Sequence, residues 1–122
     1  MKRGRIVPAG DKGEVWTDER CWITELHNSE ASPEVSLALA RVEPGVTTQL
    51  HLLDGVTERY IVRKGTGLIE VEGVTQAIGP GDQFVIPAGT PQRITNTSAD
   101  DLEFYCLCTP RFFPESYRNL ED

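Results

Sequence analysis

Nine short runs rich in β-branched and aromatic residues, each closed by Gly, Pro, Asn or Asp, fill residues 21 to 108 and leave no room for a long helix. The runs are Cys21 to Leu26, Val35 to Val42, Gln49 to Leu53, Glu58 to Arg63, Gly67 to Val71, Val74 to Ile78, Gln83 to Ile86, Gln92 to Asn96 and Leu102 to Cys108. Each is too short for an amphipathic helix and suits a strand buried on one face. So many strands in so little chain predict an all-β sandwich or barrel of the jelly-roll kind. Only the last dozen residues read as helical. The breakers have mechanical work to do: Glu72-Gly73 predicts a hairpin, with Gly73 taking positive φ, and Gly79-Pro80-Gly81-Asp82 predicts a tight reversal. Asn28 to Glu34 reads as a polar surface loop.

With 122 residues the chain is expected to be one domain spanning 1–122, large enough for one core and too small to add a DNA-binding module. A net charge of −7 opposes nucleic-acid binding, which draws its affinity from Lys and Arg neutralising phosphates. The basic start, Met1 to Arg5, is not followed by an apolar run, so no signal peptide is expected. No stretch approaches the roughly 18 apolar residues of a membrane span. Cys21, Cys106 and Cys108 form no disulfide framework, and a reduced cytoplasmic protein is expected.

Two linked motifs are set into the strand pattern. They are Gly45-x5-His51-x-Leu53-x4-Glu58-x6-Gly65 and Gly81-x5-Pro87-x-Gly89-x2-Gln92-x3-Asn96. Their spacing resembles the paired motifs of the cupin superfamily, G-x5-H-x-H-x3/4-E-x6-G and G-x5-P-x-G-x2-H-x3-N. Leu53 and Gln92 stand where the family pattern has its second and third histidines. The resemblance implies a cupin jelly roll, a double-stranded β-helix barrel, with its core at about 36–108. An N-terminal strand region at 15–27 and an aromatic tail at 109–122 flank that core, and the resemblance also implies a homodimer. It also implies that the alternating faces carrying His51 and Leu53, Glu58 and Tyr60, and Gln92 point into a cavity holding a small organic ligand.

The alternation itself puts Gln49, His51 and Leu53 on one face and Glu58, Tyr60 and Val62 on another. Three functional readings follow. In the first, His51, Glu58 and Gln92 hold a divalent metal (Zn, Mn, Ni or Fe) in an atypical weak site, the imidazole and carboxylate being suitable donors and the amide oxygen a poor one. His27 is a candidate second imidazole. A 2-His-1-carboxylate iron triad cannot be drawn from the motif positions. In the second, no metal is used: burial raises the Glu58 carboxyl toward neutrality, and Glu58 acts as base with Tyr60 or His51 as acid in an isomerase, epimerase, dehydratase or cyclase. In the third, the trio is a satisfied polar network inside a ligand-binding or structural barrel.

Other residues read more plainly. Cys106 and Cys108 share a face and are expected to be small buried hydrophobes. Arg59 and Arg93 alternate away from the cavity, and Arg63 and Lys64 read as surface charges. The tail carries Phe112, Phe113 and Tyr117, which read either as a clasp on the outer sheet or a partner, or as a lid excluding water from the barrel mouth. The Asn96-Thr97-Ser98 sequon, whose Asn96 also closes the second motif, is taken as chance because no secretory signal is expected.

Overall fold

The computed structural model describes residues 3–9 and 13–121. Eleven strands alternate with turns in the order β1 (Val15–Trp16), β2 (Trp22–His27), β3 (Ser36–Val42), β4 (His51–Leu53), β5 (Thr57–Lys64), β6 (Gly67–Val71), β7 (Val74–Ile78), β8 (Gln83–Ile86), β9 (Gln92–Asn96), β10 (Leu102–Thr109) and β11 (Tyr117–Asn119). They build one sheet ordered β1-β2-β3-β10-β5-β8 and a second ordered β11-β4-β9-β6-β7. Every pairing is antiparallel. The two sheets pack face to face as a jelly roll and stay separate rather than closing into one continuous barrel.

Period-2 alternation explains the packing. Strand β9 runs buried, half-buried, buried along Gln92 to Asn96, and β5 does the same from Thr57 to Val62. The inward positions meet in a core centred on Val42, Ile69, Ile94, Leu102 and Phe104, all at most 2% exposed. Each such side chain contributes about 1.5–3 kcal/mol by leaving water. A smaller cluster of Leu53, Val56 and Cys108 lies toward the other end, with Phe112 and Tyr117 packed on it.

The turns follow their chemistry. Glu72 and Gly73 both take positive φ (51° and 78°), which is the two-residue hairpin geometry, and Val71 pairs with Val74 across it. Gly65, which closes the first motif, has φ +84°, and a Cβ there would come within 2.8 Å of the Asp101 carbonyl oxygen. A motif glycine is thus explained by a backbone crossing. Asn96, which closes the second motif, donates from Nδ2 to the carbonyls of Val42 (2.9 Å) and Asp100 (2.8 Å) and accepts from the Ser98 backbone N–H (2.8 Å) and hydroxyl (2.6 Å). It is 1% exposed, so its side chain is a brace between loops.

The tail departs from the helical expectation. Only a single 3-10 turn forms at Pro114–Ser116, after which the chain re-enters the second sheet as β11, with Tyr117 opposite Leu53 and Asn119 opposite His51. A strand wins there because the edge of β4 offers unpaired backbone groups, and Tyr117 can bury its ring against His51 while bonding.

Candidate functional site

The two sheets supply opposite walls of a cavity. From the first come Glu58 and Tyr60 on β5, Cys106 and Cys108 on β10, and Ala38 and Ala40 on β3; from the second come His51 and Leu53 on β4. The inner chamber holds about 90 Å3 and opens into an outer chamber of about 660 Å3. Glu19, Ile23, Glu25, Phe112 and Tyr117 line both, so they form the neck between them.

Glu58 is 7% exposed, and its Oε1 has no hydrogen-bond partner. Its Oε2 receives only a long contact from the Cys108 thiol, at 3.9 Å. Burial pushes this carboxyl up to about 7, with the nearby Gln92 amide and the Cys106 and Cys108 thiols pulling it back. Tyr60 donates its hydroxyl proton to Gln92 Oε1 at 2.6 Å, and its ring lies 4.5 Å from Phe104. Burial, and then the charge of Glu58, hold the Tyr60 phenol well above its ordinary value. Its proton is committed to Gln92, so Tyr60 orients rather than transfers a proton.

His51 is held on three sides. Its Nδ1 donates to the Gln49 carbonyl at 2.8 Å, its ring stacks on Tyr117 at 4.7 Å, and its Nε2 faces Glu19 Oε1 at 3.6 Å. The first bond fixes the tautomer and leaves the Nε2 lone pair on the cavity side. Burial lowers the imidazole's pKa, so it is neutral near pH 7, the Gln49 bond opposing this in part. Glu19 is pushed up to about 7, chiefly by burial and then by the charge of Glu58, although a quarter of its side chain still reaches solvent.

Glu19 lies outside both motifs. The turn carrying it is anchored by Gln49 N–H donating to the Glu19 carbonyl at 3.0 Å, and by Arg20, which reaches the Thr47 carbonyl at 3.0 Å. Arg20 takes φ 68°, a strained value for a side chain with a Cβ, and its guanidinium grips both Glu121 oxygens at 3.0 and 2.8 Å. Glu121 also accepts from the Leu50 backbone N–H at 2.8 Å, and these partners hold its carboxyl down at about 2. Strand alternation does not reach Glu19, which lies in the turn before β2 with Arg20 at positive φ between it and Cys21. Glu19 nonetheless joins Cys21, Ile23 and Glu25 in lining the inner chamber.

The structure thus brings His51, Glu58 and Tyr60 into one cavity, with Gln92 bonded behind Tyr60. His27, at the end of β2, lines neither chamber. Arg59 bonds Gln83, Arg93 pairs with Glu70 and Arg63 with Glu103, all outside the cavity. Cys21, Cys106 and Cys108 are free, and burial raises each thiol, Cys21 to about 12, so none is an activated nucleophile. In the tail, Phe112 and Tyr117 line the mouth while Phe113 is 39% exposed. Phe112 and Tyr117 are thus the tail aromatics at the mouth, Tyr117 donating its hydroxyl to Gln49 Oε1 at 2.6 Å.

The Cupin domain family matches residues 38–108, more than half of the chain. The protein is a cupin. An oxalate-binding protein of Thermotoga maritima is 31% identical to this cupin over 100 residues, 80% of this chain and 78% of the relative. An uncharacterised protein of Methanocaldococcus jannaschii is 33% identical over 86 residues, 70% and 69% of the two chains. Among solved structures, Pac13 of Streptomyces, described as a nucleoside dehydratase, superposes with a TM-score of 0.80 at 15% identity, covering 98% of this cupin and 92% of Pac13. At that identity the likeness is one of fold.

Metals are bound by many cupins, but the donors here do not fit the family's set of three imidazoles and a carboxylate. Leu53 supplies nothing, Gln92 Oε1 already accepts from Tyr60, and among the described residues no three His, Cys, Asp or Glu side chains are grouped to hold an ion.

Proposed function

We propose that this cupin binds a small organic molecule and acts on it by proton transfer, as an isomerase, epimerase, dehydratase or cyclase. The observation that carries the reading is the unpartnered Oε1 of Glu58, buried in a cavity whose opposite wall presents the Nε2 lone pair of His51. A carboxyl near 7 is matched to proton transfer at neutral pH. Ionised Glu58 takes a proton from the ligand, and His51 Nε2, supplied by Glu19, returns one to a second atom; for a dehydration that atom is the departing oxygen. Tyr60, oriented from behind by Gln92, borders the ligand, and Phe112 and Tyr117 narrow the mouth against water.

The test is deuterium incorporation. Small hydroxy and carbonyl compounds that raise the melting temperature are incubated with the protein in D2O, and label is followed by NMR. Wild type should catalyse exchange, and Glu58→Gln should bind alike while exchanging at least about 100-fold more slowly. Undiminished exchange in Glu58→Gln refutes the assignment. Binding without exchange by wild type favours a non-catalytic ligand-binding barrel.

A second reading keeps a weak divalent site of Zn, Mn, Ni or Fe on His51, Glu58 and Gln92. What favours it is the Gln49 carbonyl on His51 Nδ1, the arrangement that orients a metal-binding imidazole. It requires stoichiometric metal by elemental analysis, and a melting temperature raised by divalent ions in wild type but not in His51→Ala. Absence of both rejects it.

We further propose a cytoplasmic homodimer. Free Cys21, Cys106 and Cys108 agree with a reducing compartment, and no helix among the described residues is long and apolar enough to cross a membrane. The edge strand β1 exposes Val15 (62%) and Trp16 (50%), an apolar pair suited to a partner subunit.

A further inference from the structure

We infer that the cavity takes a small primary ammonium compound, seated in the neck between Glu19 and Glu25 and under the rings of Phe112 and Tyr117. The inference deepens the proposal of a small-molecule site and rests on it.

The sign of the lining is the starting point. Glu19, Glu25 and Glu58 line the inner chamber, and the outer chamber adds Glu14 and Asp18. Among the described residues no Lys or Arg lines either chamber. Glu14 is neutralised by Arg41 at 2.7 and 2.8 Å, and among the described residues no Lys or Arg side chain pairs with the other four carboxylates. Arg20 follows Glu19 in the chain, yet its guanidinium is spent on Glu121 and the Thr47 carbonyl. The imidazole of His51 does not compensate, because burial favours its neutral form.

A second observation points to a ligand independently of charge count. Glu58 Oε1 is a buried carboxylate oxygen aimed into the chamber with nothing donating to it. Buried polar atoms are rarely left so, and a bound donor group completes the site. The neck then sets carboxylates beside two aromatic side chains, Phe112 and Tyr117, one face of Tyr117 being taken by its stack on His51. A dianion such as oxalate meets only like charge here, so this chain differs in ligand sign from the oxalate-binding relative that shares its scaffold.

A matched trio of probes separates charge from shape: n-butylammonium, n-butanol and butyrate, titrated into the full chain by calorimetry and ligand-observed NMR. Butylammonium should saturate at one site and bind about tenfold or more tighter than butanol. Butyrate should not bind. Glu25→Gln, and Glu19→Gln with Glu25→Gln, should weaken butylammonium and leave butanol unchanged. Butyrate binding as tightly as butylammonium, no saturable butylammonium binding, or indifference to both variants overturns the inference. Its failure is distinct from failure of the acid/base reading. Preference for butyrate alongside a Glu58→Gln exchange defect sinks the charge class alone; preference for butylammonium with undiminished exchange in Glu58→Gln supports the charge class and sinks the chemistry.

Discussion

Glu58 sits where its charge is costly, and the cost has a defined pH window. Its folded value near 7 exceeds the ordinary 4.5, so between these values the folded protein keeps a proton that the unfolded chain has released. Stability therefore falls as pH rises through this window and stays reduced above it. Glu19 adds to the same trend, while His51, lowered by burial, acts oppositely below about 6.5. Glu58→Gln should raise stability at about pH 8 by up to ~3 kcal/mol and change it little at about pH 4, as read from urea melts. An equal gain at both pH values would contradict the linkage. At Tyr60, removal of the hydroxyl strips Gln92 Oε1 of its donor; Tyr60→Phe should cost about 1–3 kcal/mol in the same assay, and no loss would mean the pair is idle. Motif spacing and alternation made His51, Glu58, Tyr60 and Gln92 legible as residues of shared faces. They could not reveal which atom bonds which, because a face is a direction and a bond is a distance. Glu19 escaped because the run before the first motif was read from Cys21, and nothing local says that the preceding turn folds over the cavity.

Strands were legible in proportion to how strongly local chemistry bounds them. Gly67–Val71, Val74–Ile78, Gln83–Ile86 and Gln92–Asn96 have the expected limits, each being fenced by glycine, proline or a motif residue. Strand β1, two residues long, is too short to show alternation. Strand β11 depends on the edge of β4, a partner more than sixty positions earlier that no local pattern discloses. Two predictions belong to this scale. Gly65→Ala should destabilise by at least about 1 kcal/mol, since it adds both positive-φ strain and a 2.8 Å clash with backbone; a neutral melt would show that the Asp101 loop yields freely. Tyr117→Ala should leave the core strands protected while speeding amide hydrogen exchange at Leu53, opposite it on β4. Unchanged exchange there would mean that β11 is held by its backbone and by Glu121 alone.

The whole molecule carries a net charge of −7, and its cavity shares that sign. Association of a cationic ligand should therefore slow with added salt, as field lines converging on the mouth are screened. Self-association is a separate matter: a homodimer should run at twice 13.5 kDa in sedimentation velocity, and Trp16→Glu should return it to 13.5 kDa if β1 is the contact. A monomer at every concentration would remove the dimer. The grip of Arg20 on Glu121 joins segments 101 positions apart, across the entire two-motif frame. The clasp reaches the site from two sides: through Arg20 it holds the turn that carries Glu19, and through the Leu50 N–H it holds the residue before His51. Losing that single ion pair would therefore slacken the cavity mouth from both directions together.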